Sequence, residues 1–110
     1  MKAAGGPSSF VDGMFERARA GTVPDGYPGW TSVADPHGYT LAHAAALEGL
    51  LPRDYRDWDR ADNSGRTVLF CQAVGMALRG ELARSNEAWF LKDGNGMTVW
   101  EEYERMRVMR

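Results

Sequence analysis

The chain has 110 residues, 44% apolar and 25% charged, which is one domain's worth and enough to bury a core without covalent staples. A formal net charge of −2 leaves no electrostatic footprint for a nucleic-acid backbone, and no apolar run nears the roughly 20 residues that span a bilayer. The single cysteine, Cys71, excludes an intramolecular disulfide and fits a reducing compartment, so a soluble, cytoplasmic protein without a secretory leader is expected.

Taken in chain order, residues 1–9 read as a flexible N-terminus, and FVDGMFERARA opens a degenerate first unit over residues 10–30. Its close, GTVPDGYPGW (21–30), matches GLLPRDYRDW (49–58) in Gly, Pro, Tyr and Trp. A second unit, 30–57, opens on Asp35-Pro36-His37-Gly38-Tyr39-Thr40 and continues into a helix in LAHAAALEG. Gly49 offers a cap for that helix, Pro52 stops its continuation or starts another, and PRDYRDW reads as a short second helix with Tyr55 and Trp58 on one edge. The third unit, 58–88, opens on Asp62-Asn63-Ser64-Gly65-Arg66-Thr67. Its threonine lies 27 residues after Thr40, but Gly80 lies 31 after Gly49, so its helix is the same helix lengthened by about one turn. A C-terminal capping unit, 89–110, opens on Asp93-Gly94-Asn95-Gly96-Met97-Thr98. It ends in a charged helix with Glu101, Glu102 and Glu104 early and Arg105, Arg107 and Arg110 late, an order that suits the helix dipole and gives a wettable outer surface.

The recurring element is Asp-x-x-Gly-x-Thr, preceded four or five residues earlier by Trp30, Trp58 or Trp89. The aspartate can accept bonds from amides ahead of it, the glycine can take positive φ, and the threonine is a natural N-cap. A unit of turn, helix, break and short second helix cannot bury its own apolar face, whereas adjacent copies can. The expected fold is therefore all-α: a single domain forming a short solenoid of helix-turn-helix repeats with capping ends.

Residues 35–49 resemble the ankyrin-repeat signature. Asp35, Gly38, Thr40, His43, Ala45, Ala46 and Gly49 fall in register, with Leu41 where proline is usual and Ala42 where leucine is usual. Asp62, Gly65, Thr67, Leu69 and Ala73 follow the pattern in the next unit, where Phe70 takes the histidine slot, and Asp93, Gly96 and Thr98 follow it in the last. The spacings of 27 to 31 residues fall short of the usual ~33, so the likeness is to a divergent short-period variant of bacterial or viral type. The resemblance implies that Thr40 and His43 hydrogen-bond and brace the turn. It further implies a protein-recognition face of turn tips and adjoining helix. Carried over residue by residue, that face comprises Pro36, His37, Tyr39, Leu47 and Glu48, then Asn63, Ser64 and Arg66, then Asn95 and Met97. Tyr39, Arg66 and Met97 share one position and are expected to line up along an edge.

No chemistry competes well with that reading. His43 could be catalytic only beside a nucleophile or metal ligands. A Cys71–His43 dyad would supply one, but helices of neighbouring units sit roughly 8–10 Å apart, and cysteine is commonly a small buried hydrophobe. Two histidines and one cysteine show no metal-ligand spacing, and DGNG at 93–96 lacks the further acids of a calcium loop. No cofactor and no metal are expected. The expected function is a stand-alone protein-interaction module that occupies or bridges a partner's surface, in its most specific form a small bacterial or phage inhibitor of a host defence complex. The alternatives are a structural subunit or homo-oligomer assembling through the C-terminal helix at Trp100 and Tyr103, and more remotely a cysteine-dependent enzyme.

Overall fold

The computed structural model describes residues 7–24, 26–52 and 54–109, with side chains from Phe10 onward. The chain is all-α: α1 (Pro7–Ala20), α2 (Leu41–Glu48), α3 (Val68–Leu78) and α4 (Val99–Met109), with a short 3₁₀ helix η1 (Glu87–Phe90) before α4. No strand forms among the described residues. α1 starts on Pro7, a residue preorganised for a first helical position, so residues 7–9 are helical where a flexible tail was expected; residues 1–6 lie outside the described residues. No helix among the described residues is long and apolar enough to cross a membrane.

The three Asp-x-x-Gly-x-Thr segments build the same turn. One carboxylate oxygen, Oδ1, accepts two amides: His37 and Tyr39 on Asp35, Ser64 and Arg66 on Asp62, Asn95 and Met97 on Asp93, all at 2.8–3.0 Å. Gly38, Gly65 and Gly96 take φ of +76°, +73° and +82°, the left-handed conformation that costs glycine little. Single bridges Ala34–Thr40, Ala61–Thr67 and Lys92–Thr98 close the three loops.

Each threonine then starts a helix. Thr40 Oγ1 accepts the His43 amide, Thr67 Oγ1 the Phe70 amide and Thr98 Oγ1 the Glu101 amide. The residue directly after each cap, Leu41, Val68 and Val99, is fully buried, and burial of such a side chain contributes about 1.5–3 kcal/mol. The first three helices end alike. Gly21, Gly49 and Gly80 are left-handed and donate three residues back, to Ala18, Ala46 and Ala77. The next amides, Thr22, Leu50 and Glu81, donate five back, to Arg17, Ala45 and Met76. From threonine to terminal glycine, α3 is four residues longer than α2, one extra turn.

Helix packing follows chain order: α1 on α2, α2 on α3, α3 on α4, and η1 on α3 and α4. The core divides accordingly. One cluster joins Phe15, Trp30, Leu41 and the α2 alanines, and the other joins Phe70, Val74, Leu82 and Val99. At the α2–α3 contact, a Cβ on Gly75 would overlap the Leu47 carbonyl, so only glycine permits that approach.

The short second helix expected at 52–58 does not form among the described residues of that stretch. Tyr55 packs edge-on against Trp58 at 5.4 Å, and its hydroxyl hydrogen-bonds Thr31 Oγ1 at 3.0 Å. A single turn bond, from the Tyr55 amide to the Pro52 carbonyl at 3.2 Å, and these side-chain contacts hold the segment. In the following unit the equivalent stretch does wind, as η1, with Asn86 capping it and Trp89 Nε1 donating to the Ala83 carbonyl.

Candidate functional site

Adjacent turns are tied to one another along the backbone. The Asn63 amide donates to the His37 carbonyl and the Gly94 amide to the Ser64 carbonyl, each at 2.8 Å and in the same register. Three tips therefore lie side by side. Their approach is close enough that a Cβ on Gly65 would fall 2.5 Å from Gly94 Cα. Pro36, His37, Asn63, Ser64 and Asn95 are exposed on these tips, while Met97, Leu47 and Glu48 are half-buried. Beside the tips the helices leave a cavity of about 360 Å³ lined by Tyr39, Arg66, Phe70, Glu102 and Arg105.

Tyr39 and Arg66 stand at the shared position between glycine and threonine, but both are committed inward. The Tyr39 ring stacks between Phe15, at 6.1 Å, and His43, at 5.0 Å, and burial raises its hydroxyl pKa. The Arg66 guanidinium lies over the Phe70 ring at 5.0 Å and donates to Asp93 Oδ2 and Glu102 Oε2, each at 3.1 Å. Its side chain is only 23% exposed, and its Nε is buried without a hydrogen-bond partner.

His43 is fully buried with both ring nitrogens in use. Nδ1 accepts from the Thr40 amide at 3.0 Å and lies 2.8 Å from Thr40 Oγ1. Nε2 is then the protonated nitrogen and donates to the Arg66 carbonyl at 2.9 Å. Burial lowers the imidazole pKa below its usual 6.5, which agrees with a neutral ring. Cys71 is buried as well. Desolvation pushes its thiol up to about 12, with the Arg66 charge and the Tyr39 hydroxyl pulling weakly the other way. A thiol in that state holds no thiolate at neutral pH, and the thiolate is the nucleophilic form. Among the described residues, no three His, Cys, Asp or Glu side chains are grouped so as to hold a metal ion.

Sequence reasoning missed Glu102. Its place in a charged helix suggests a wettable surface, yet it is 2% exposed and held by Arg66 and by two bonds from Arg105, at 2.8 and 2.6 Å. The signal was present in the register. Four residues after their threonines, Ala44, Cys71 and Glu102 are equivalent, and the first two are apolar and buried. A carboxylate at such a position requires cationic partners. Compared with protein families, curated proteins and solved structures, the chain matches none significantly.

Proposed function

We propose that the chain is a short ankyrin-like solenoid with capping ends, working as a protein-interaction module whose contact face is the row of turn tips. The observation that carries this reading is the pair of equivalent backbone bonds between successive tips, which leaves Pro36, His37, Asn63, Ser64 and Asn95 exposed side by side. Among the described residues, packing of α1 on α2, α2 on α3, and α3 on η1 and α4 supports the repeat interpretation. The tips are rigid because their amides are already bonded to Asp35, Asp62 and Asp93, so a partner would order little backbone on binding.

Such a module acts by covering a partner's surface or by bridging two partners in the cytoplasm. Its most specific form, drawn from the resemblance, is a bacterial or phage inhibitor of a host defence complex. Affinity capture from a bacterial lysate would test the face. Wild type is set beside His37→Glu/Ser64→Arg/Asn95→Arg, which adds bulk and charge at the tips without touching the turn bonds. One stoichiometric partner kept by wild type and lost by the variant, at unchanged helicity, is the expected result. Equal capture by both would remove the tips from the site.

A further inference from the structure

Three asparagines occur in the chain, Asn63, Asn86 and Asn95, and of these Asn95 alone is followed by glycine. Asparagine is a chemically labile residue, because the backbone nitrogen of the next residue can attack its side-chain amide carbon. That attack needs a free side chain, room around the following residue, and release of the attacking amide from its own hydrogen bond.

On these counts the three asparagines differ. Asn63 Nδ2 donates to the Pro36 carbonyl at 3.4 Å, and Asn86 Oδ1 accepts the Ala88 amide at 2.8 Å as the cap of η1. Among the described residues the Asn95 side chain makes no hydrogen bond; only its backbone amide is used, donating to Asp93 Oδ1. Asn95 is exposed on the last tip of the row. Gly96, at φ +82°, would meet nothing within 4 Å even if it carried a Cβ, so a ring closed there has room. One bond restrains the step, from the Gly96 amide to the Asp93 carbonyl at 3.1 Å. The adjoining Asp93-Gly94 pair shows the opposite state. Asp93 is buried, its Oδ1 holds two amides and its Oδ2 holds Arg66, while the Gly94 amide is tied to the Ser64 carbonyl.

We propose that Asn95 is a site of spontaneous modification, deamidating through a cyclic imide to aspartate and isoaspartate. The Gly96 nitrogen forms a bond to Asn95 Cγ and gives up its proton, and the side-chain nitrogen leaves as ammonia. Water then opens the imide at either carbonyl. Opening at Cγ restores the chain with an aspartate, and opening at the Asn95 main-chain carbonyl routes the chain through Cγ as isoaspartate. Both products place a negative charge on the last tip. Isoaspartate also lengthens the backbone between Asp93 and Met97, where a single carboxylate oxygen now spans the turn. The chemistry is independent of whether the tips bind a partner.

The test incubates the full chain in warm, mildly alkaline buffer and follows it by peptide mapping with mass spectrometry. Isoaspartate is counted separately with an isoaspartyl methyltransferase, and a peptide of residues 92–98 run alongside reports the rate without the fold. Conversion of amide to acid is expected at Asn95 ahead of Asn63 and Asn86, with both products present. It should run up to about tenfold slower than in the peptide, the factor that one net hydrogen bond supplies. Asn95→Ser, which carries the residue type of the equivalent Ser64, should show no conversion at this tip. Conversion first at Asn63 or Asn86 overturns the proposal, as does an unchanged Asn95 once the peptide has fully converted. Aspartate without isoaspartate overturns it too, since direct hydrolysis and not ring closure would then be the route.

Discussion

Two joints hold successive turns of this protein together, and they do it with different chemistry. Between the turns at 35–40 and 62–67, neutral His43 reaches across and donates to the Arg66 carbonyl. Between the turns at 62–67 and 93–98, the histidine slot holds Phe70, which has nothing to donate. There the Arg66 side chain does the bridging, to Asp93 and to Glu102 of α4. In both units the residue before the threonine packs on the residue three after it: Tyr39 on His43, and Arg66 on Phe70, each at 5.0 Å. The two segments thus keep the place of a contact while changing which partner carries the polar group. One joint is a buried hydrogen bond between uncharged groups, and the other is an ion-pair network behind a partly exposed guanidinium.

The comparison is most directly broken at His43. Removing the ring with His43→Ala leaves a cavity, strands the Arg66 carbonyl and frees the Thr40 amide, and should cost about 3–5 kcal/mol in urea denaturation. His43→Phe imports the residue of the next unit and fills the space. It should cost less, about 1–3 kcal/mol, because only the polar partners are lost. A loss below about 1 kcal/mol for His43→Ala would mean that the imidazole bridge contributes little.

Breaking the second joint comes next in size. Arg66→Ala removes a charge from between two buried carboxylates, and such a loss costs about 3–5 kcal/mol when burial is complete. With part of the side chain in water, and with Arg105 still on Glu102, about 2–3 kcal/mol is expected. Arg66→Lys should recover little, since an ammonium cannot fork to two carboxylates and lie over a ring together. A lysine variant as stable as wild type would show that charge alone, and not guanidinium geometry, makes the joint.

Acid should separate the joints by pH, with smaller effects. The folded His43 pKa lies below 6.5, so the unfolded chain takes up that proton first. Its contribution is complete above about 6.5 and declines as pH falls from there toward the folded value. At Asp93, burial pushes the carboxyl up, but the Arg66 bond and the Met97 and Asn95 amides outweigh it and leave the pKa below 3.8. That contribution is complete above about 3.8 and is lost only as pH falls below it. Thermal midpoint against pH should therefore fall in two stages. His43→Phe should abolish the upper stage alone, and Arg66→Ala should shrink the lower. A single stage shared by both variants would mean the joints are not separate.

Local chemistry made much of this legible. Asp35, Asp62 and Asp93 as amide acceptors, Gly38, Gly65 and Gly96 as left-handed positions, and Thr40, Thr67 and Thr98 as caps all depend on residues within a few positions of one another. A short spacing therefore carries the whole arrangement. The helix-ending glycines Gly21, Gly49 and Gly80 are of the same kind. The extra turn of α3 could be read because an insertion of one turn leaves the apolar face where it was.

Tertiary structure decided what the side chains between those landmarks do. PRDYRDW has helix-compatible spacing, yet its described residues form no helix and Tyr55 is tied to Thr31, a contact 24 residues apart that no local pattern encodes. Tyr39 and Arg66 sit in loop positions that suggest solvent, and both turn inward because Phe15, Asp93 and Glu102 arrive from other units to join His43 and Phe70 of their own. Glu102 looked like one charge among several on a polar helix, and only the arrival of α4 against Arg66 makes it a buried carboxylate. The sequence by itself determined where the chain turns, caps and stops, because those are short-range hydrogen bonds. Which polar groups face water depended on packing between units, because burial belongs to neighbours in space rather than to neighbours in the chain.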